Sequence, residues 1–404
     1  MSQLRLLFPL LLLIGTLACQ PPPSPTPTLR PISSPTGVTQ LAPLGTTVPP
    51  NVINATPAAR PSPASLPVGG PPQPALAAPR TVTDLPVFAL AVRPSNDLSR
   101  LAYFLPAQVS RPGGEGEGPR LLLWEAATGK TDVAHTGVDR VVALEWLDRE
   151  RLLLAVGKTR TEPGGLAVKT LGRDELTWIH RLPEDAANVA DLRLSPDGRL
   201  AAFVTQYFVQ GPAPKVAIDV VGVDGQGYRR LAEPELYLDN VKWTPDSRQV
   251  TYHRSTGIRP APDADTFAVS AEGGQPTKIY SGARLIGWAS SQRAIWSHAL
   301  NDIDSTHRLL VTPDWPPDPS RAIDLGTIAG FGGATWTDSE GYLVVAESGA
   351  LWLMGATSNP GRKLLAEAAG GEFAFDPRWL PGKGVVYLSR TGQQSALKLL
   401  PLVP

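Results

Sequence analysis

Apolar runs of four to six residues alternate along most of this chain with clusters of Gly, Pro, Asp and Ser, and no stretch keeps a long 3.6-residue period. From about Thr81 onward that alternation predicts an all-β domain of roughly 320 residues. Within it one unit recurs seven times. An apolar residue, usually Trp, closes a short strand; five turn-like residues follow; a second apolar run begins. Leu194 precedes Ser-Pro-Asp-Gly-Arg and then Leu200 to Val204, and Trp243 precedes Thr-Pro-Asp-Ser-Arg and then Gln249 to Tyr252. The same layout sits at Trp146, Trp288, Trp336 and Trp379, with a looser first copy at Val92. The anchors fall roughly every 43 to 54 residues, the period of propeller blades.

Each unit reads as four strands. In the third, Ala190 to Leu194, Leu200 to Val204, Val216 to Val221 and Tyr228 to Leu231 are strands A to D, the last two joined through Asp224-Gly225-Gln226-Gly227. Asp and Gly suit such turns because they tolerate or cap a left-handed backbone. A lone four-stranded sheet exposes both faces, and radial packing of seven buries them. The recurring Trp is then filler between blades rather than a row of binding sites. The expected fold is a seven-bladed β-propeller of four-stranded antiparallel blades behind a disordered proline-rich linker. The last unit ends early, at Ser395 to Leu402, and Thr81 to Val87 is the spare strand that closes the ring and removes an edge.

The first eighty residues differ in pattern and composition. Met1 to Leu17 carries one charge, Arg5, and an apolar run from Leu6. The run is about 12 residues, against the ~20 needed to span a bilayer. Of the chain's 43 prolines, 18 lie between Gln20 and Arg80. That segment has too few apolar anchors to offset the entropy of ordering. Three domains are therefore expected: a signal peptide over 1–18, a Cys and Pro/Ser/Thr-rich stalk over 19–80, and the propeller over 81–404. Cys19 is the only cysteine. Gly15-Thr16-Leu17-Ala18-Cys19 resembles a bacterial lipobox, which implies lipidation of Cys19, a membrane anchor and an extracytoplasmic place in the bacterial cell envelope. Lys plus Arg and Asp plus Glu balance at 37 each among 404 residues, so no net field favours nucleic acid.

At Ser195-Pro196-Asp197-Gly198-Arg199 and Thr244-Pro245-Asp246-Ser247-Arg248 the chain resembles the WD40-like repeats of TolB-type β-propellers. The other copies keep the spacing and lose the motif. The resemblance implies an envelope propeller that binds protein partners, and some relatives are the propellers of prolyl-oligopeptidase-like enzymes. The motif itself specifies turns, so it carries fold and no chemistry.

Function is then expected on the long, irregular B–C connections, where binding residues concentrate. The candidate contacts are Tyr207, Phe208, His253 and Arg259, together with a cluster of His298, Asn301, Asp302, Asp304 and His307. The cluster lacks EF-hand and zinc spacing, so neither metal nor cofactor is expected. Gly113 to Gly118 lacks the Lys-Ser/Thr of a P-loop and reads as a hairpin tip. There is no Gly-x-Ser-x-Gly or His-Glu-x-x-His, and no hydrolase domain is expected after the ring. The leading expectation is a binding module rather than an enzyme, with a protein, peptide or glycan partner in the envelope. The rival is a propeller hydrolase or lyase acting on envelope glycans or peptides. It predicts carboxylates converging over the channel, with Asp139, Glu233, Glu235 and Asp239 the ones to inspect. A passive structural protein is the third reading.

Overall fold

The structure is a computed structural model. It describes residues 73–403 apart from 108–117, 160–162, 208–214, 256–263, 290–291, 302–305, 358–359, 368–371 and 393. Cys19, the proline-rich segment and the Gly113–Glu117 stretch lie outside the described residues.

Among the described residues, twenty-eight strands form seven four-stranded antiparallel sheets arranged as a propeller, with one 3-10 turn at Pro319–Arg321. Six blades are built from four consecutive strands each. The seventh takes three strands from the end of the chain and its outermost from the beginning, where Arg80–Leu85 pairs antiparallel with Gln394–Pro401. Closure by the segment near Thr81 is therefore observed. It joins the chain ends, and Leu76 adds a further bridge to Leu402.

Burial follows the radial plan. The middle strands are covered on both faces, as Leu200–Tyr207 and Lys215–Gly222 show by their nearly unbroken burial. The outer strand of blade 1, Lys130–Thr136, is largely exposed. The apolar core is divided into seven clusters, one in each gap between neighbouring blades. Trp243 fills the gap between blades 3 and 4 beside Val241, Val204 and Val220. Its indole Nε1 donates to the carbonyl of Arg193 in blade 3 at 3.0 Å, and Trp146 donates to Arg93 in blade 1 at the same distance. The recurring Trp is the inter-blade filler that the pattern implied.

The turn motif is explained by its hydrogen bonds. Ser195 Oγ donates to Asp197 Oδ1 at 2.6 Å and accepts from the Leu200 amide at 2.9 Å, while Asp197 Oδ1 also accepts from the Arg199 amide. Thr244 and Asp246 repeat the arrangement. So do Ser95 and Asp97. The first turn therefore runs from Ser95 to Ser99, and Pro94, not Val92, holds the anchor position. Gly198 (φ 74), Leu98 (φ 57), Ser247 (φ 62) and Glu340 (φ 50) share one left-handed position in these turns. Three of the four are not glycine, so no local composition rule would have found the first copy.

Candidate functional site

The inner strands carry two side-chain rows. Because strand neighbours point to opposite faces, the residue before each anchor turns away from the seam that the anchor fills. Those residues are Arg93, Glu145, Arg193, Lys242, Gly287, Thr335 and Arg378. Four are cations, and they stand around the axis on blades 1, 3, 4 and 7. Three residues before the anchor, a second level contributes Asp191 and Asp376.

These groups form a linked electrostatic set. Arg93 Nη2 donates to Glu145 Oε1 at 2.9 Å, and its Nε donates to the Leu144 carbonyl. Arg193 Nη1 lies 3.0 Å from Asp191 Oδ1 and 3.9 Å from Glu145 Oε1. Arg378 Nη2 donates to Asp376 Oδ2 at 2.8 Å. Lys242 is the exception: among the described residues its ammonium makes no hydrogen bond or ion pair. Burial, reinforced by the Arg193 charge, pushes its pKa down to about 8. Burial pushes Asp376 the other way, up from the carboxylate range, against the opposing charges of Arg93, Lys242 and Arg193. Asp376 on blade 7 thus feels charges from blades 1, 3 and 4, which places all of them in one channel.

Backbone geometry singles out the same level. Each inner strand has an irregular register there, as between Asp239 and Lys242 and between Phe375 and Arg378. Ala91 (φ 51), Asn240 (φ 56), Gly333 (φ 123) and Asp376 (φ 50) all occupy the position three before the anchor. Bulges re-aim side chains, and left-handed non-glycine residues concentrate at functional sites. At Asp376 the bulge aims a carboxyl at the axis.

The residues singled out on the loops fare differently. Tyr207 ends the second strand of blade 3 and is buried there. Its hydroxyl is taken by Arg230 Nη2, within a network centred on the fully buried Asp219. His253 lies in a strand of blade 4, 1% exposed, with Nδ1 3.1 Å from Asp239 Oδ1 and Nε2 3.1 Å from the Ala264 carbonyl. Both imidazole nitrogens are committed, so His253 pins the base of its loop and offers nothing to a ligand.

His298 and His307 sit on adjacent strands of blade 5, where His307 faces Ala299 and His298 faces Arg308. The alternation sends the two imidazoles to opposite faces, so they cannot share a metal. His307 Nδ1 is hydrogen-bonded to Ser297 Oγ at 2.6 Å. Asn301 ends a strand in register with Thr306. Phe208, Arg259, Asp302 and Asp304 lie outside the described residues.

The four carboxylates proposed for inspection do not converge. Asp139 borders a groove between blades 1 and 2, and Glu233 and Glu235 line one between blades 3 and 4. Glu235 is paired with Arg254 at 2.6 Å, and Asp239 is held between His253 and Arg284. The channel's own carboxylates, Glu145, Asp191 and Asp376, went unnoticed in the sequence. Reading the residue at a fixed offset from every anchor would have found them.

No family model matches the chain, and no curated protein is similar to it in sequence. Solved structures do match in shape. An oligogalacturonate lyase in complex with manganese aligns with a TM-score of 0.58 at 12% identity, over 83% of this chain and 99% of that one. A puromycin-hydrolyzing peptidase of Mycobacterium tuberculosis aligns at 0.53 and 14% identity, over 84% of this chain and 57% of that one. The β-propeller domain of the Trilobed protease from Pyrococcus furiosus aligns at 0.50 and 14%, over 78% and 96%. The expectation of a non-enzymatic protein is overturned by these similarities. It rested on missing linear motifs, and rings of this shape include a lyase and a peptidase. Among the described residues no three His, Cys, Asp or Glu side chains converge on a metal site. At identities this low the likeness is one of fold, and the fold is the seven-bladed propeller that the turn motif implied.

Proposed function

We propose that this protein is a propeller-type hydrolase or lyase acting on envelope glycans or peptides, with its reacting groups in the central channel. The export signal and a lipid on Cys19 would hold it at the membrane, outside the cytoplasm. The observation that carries the proposal is the pairing of Lys242 and Asp376. One cation is displaced toward neutral pH from above and one carboxyl from below, in a shared channel. General acid–base catalysis works best with groups whose pKa lies near the operating pH.

In this reading Lys242, which no counter-ion holds, takes a proton as the free amine. At pH 7 about a tenth of it is in that form, from a pKa one unit higher. Asp376, whose carboxyl is raised from the usual carboxylate range, is the group placed to return a proton. The guanidinium groups of Arg93 and Arg193 are already fixed by Glu145 and Asp191, so they meet developing negative charge without reorganising. The similarity in shape to a lyase and to peptidases supports the reading. A purely passive role leaves the unpartnered Lys242 without a use.

The test is turnover of defined glycans and peptides, and of envelope digests, by the full-length protein. Lys242→Met and Asp376→Asn should each lower the rate by roughly a hundredfold or more. Turnover that survives both substitutions would rule out the channel as the reaction centre. For the anchor, Cys19→Ala should release the protein to the soluble fraction.

A further inference from the structure

An amine enclosed by protein is normally held by an acceptor. Lys158 Nζ donates to the carbonyls of Glu184 and Ala186 at 2.7 and 2.8 Å. Lys169 and Lys398, also enclosed, donate to the Arg173 carbonyl and to Glu372. Lys130, Lys215, Lys278, Lys363 and Lys383 are exposed. Among the described residues Lys242 alone is a partly enclosed lysine whose Nζ is bonded to nothing.

The fold fixes where that amine points. Between Asp239 and Lys242 the ladder to the next strand shifts register. Asn240, at the shift, has φ 56, and its side-chain amide donates to the Leu285 carbonyl of blade 5 at 2.7 Å. Trp243, on the other side, is bonded to blade 3. Lys242 between these two clamps faces the channel, and its Nζ stays accessible there. The charged groups around it are Arg193 and Asp191 of blade 3, Asp376 of blade 7 and Arg93 of blade 1. Its own strand adds Asp239, already held by His253 and Arg284.

A lone pair that takes a proton also attacks carbon. Burial and the Arg193 charge lower Lys242 to about 8. About a tenth is then free amine at pH 7, against fewer than about one in a thousand for an ordinary exposed lysine. Amines desolvated beside another cation are those that form imines with carbonyl compounds. Arg93, Arg193, Lys242 and Arg378 outnumber Glu145, Asp191 and Asp376, so a carbonyl compound that brings its own carboxylate suits the channel best.

We infer that Lys242 is a covalent capture site for small oxo acids, whose aldehyde or keto carbon it takes as an imine. The nitrogen lone pair forms the C–N bond. The carbonyl oxygen leaves as water with one proton from the amine and one from the Asp376 carboxyl, which leaves a protonated imine beside the Asp376 carboxylate. No oxidant or reductant enters. The capture needs a free Lys242 amine and so rests on the channel reading above, but it needs no cleavage of glycan or peptide.

Glyoxylate and cyanoborohydride, added to the full-length protein at pH 7 and followed by peptide mass mapping, test the capture, because hydride converts the imine to a stable carboxymethyl-lysine. Lys242 should be labelled at least about tenfold faster than any other lysine. Propanal, which lacks the carboxylate, should label it about threefold or more slower. Lys242→Arg keeps the charge and forms no imine, so it should lose this label, as should Lys242→Met, while the exposed lysines react as before. A Lys242 rate no higher than that of the exposed lysines, or propanal reacting there as fast as glyoxylate, overturns the inference. Turnover that depends on Lys242 without any adduct on it also overturns the inference and leaves the proposed function standing. An adduct on Lys242 in protein that turns over no glycan or peptide supports the capture and removes the proposed function.

Discussion

Trp243 and Lys242 are neighbours on one strand, yet they belong to regions with opposite physics. Trp243 is 5% exposed, packed against blade 3, and its indole N–H is bonded across the seam. Lys242 faces the channel and makes no bond among the described residues. The same contrast recurs on five of the seven blades, where the anchor is apolar and the residue before it is charged. Seams are built from apolar packing, with the indole N–H of Trp146 and Trp243 bonded across and those of Trp288, Trp336 and Trp379 buried without a partner among the described residues. The channel is built from residues held near one another and left partly unsatisfied, an arrangement that costs stability and supplies reactivity.

The contrast breaks most readily by substitution at the two neighbours. Trp243→Ala should cost about 3–5 kcal/mol through the cavity it leaves in the seam. Lys242→Met removes an unpaired charge and should lie within about 0.5 kcal/mol of wild type or above it. Urea unfolding of both variants decides the matter. Equal losses would mean that Lys242 is structural.

A second pair compares buried charge inside a blade with charge in the channel. Asp219 is fully buried and accepts from Thr205 Oγ1 at 2.6 Å, Tyr228 at 3.1 Å and Arg230 Nε at 3.0 Å. Asp219→Ala strands Arg230 and should cost roughly 3 kcal/mol. Asp376→Asn keeps the shape and loses an ion pair to Arg378 whose members are 50% and 32% exposed, so its effect should stay below about 1 kcal/mol. A larger loss at Asp376 than at Asp219 would reverse the assignment of structural and functional charge.

These comparisons also explain what could be read before the fold was known. The seams were legible because a Trp, a five-residue turn and an apolar run are local, and repetition reinforces each. The closing strand at Arg80–Leu85 was legible because the last blade lacked a partner for its final strand. The channel was not, because Asp376 acquires its surroundings from Arg93, Arg193 and Lys242, which lie 134 to 283 positions away. His253 misled for the same reason. A histidine beside a long connection resembles a loop ligand until the strand register shows Asp239 opposite it.

Titration offers a finer comparison. Lys242 is lowered to about 8, while an unfolded lysine titrates near ~10.4. Between those values the unfolded chain binds more protons, so stability should rise with pH across that window. Lys242→Met should flatten the rise. The turns behave oppositely. The hydroxyl of Ser99 holds the Asp97 carboxyl below its usual range, and that of Ser195 does the same for Asp197. For depressed carboxylates the stabilisation is present above the unfolded pKa and is lost as pH falls below about 4. Ser195→Ala should reduce that acid sensitivity. A pH–stability curve with no lysine-dependent rise would deny Lys242 its displaced pKa.

The smallest expected effect concerns the bulge beneath the charged row. Four blades take a left-handed residue there, and Gly333 does so without strain, whereas Ala91 has φ 51 with a Cβ. An L-residue in that region loses about 1 kcal/mol, part of which glycine returns to the unfolded chain. Ala91→Gly should therefore stabilise by about 0.5 kcal/mol and leave turnover unchanged, since Ala91 presents no functional group to the channel. Asp376→Gly relieves the same backbone and should abolish turnover. If both glycine variants gain stability and only the second loses activity, the bulge is a structural device of the ring and the carboxyl on it is the functional part. If Ala91→Gly also loses activity, the left-handed backbone itself positions the channel, and the boundary between seam and site moves one level down the strand.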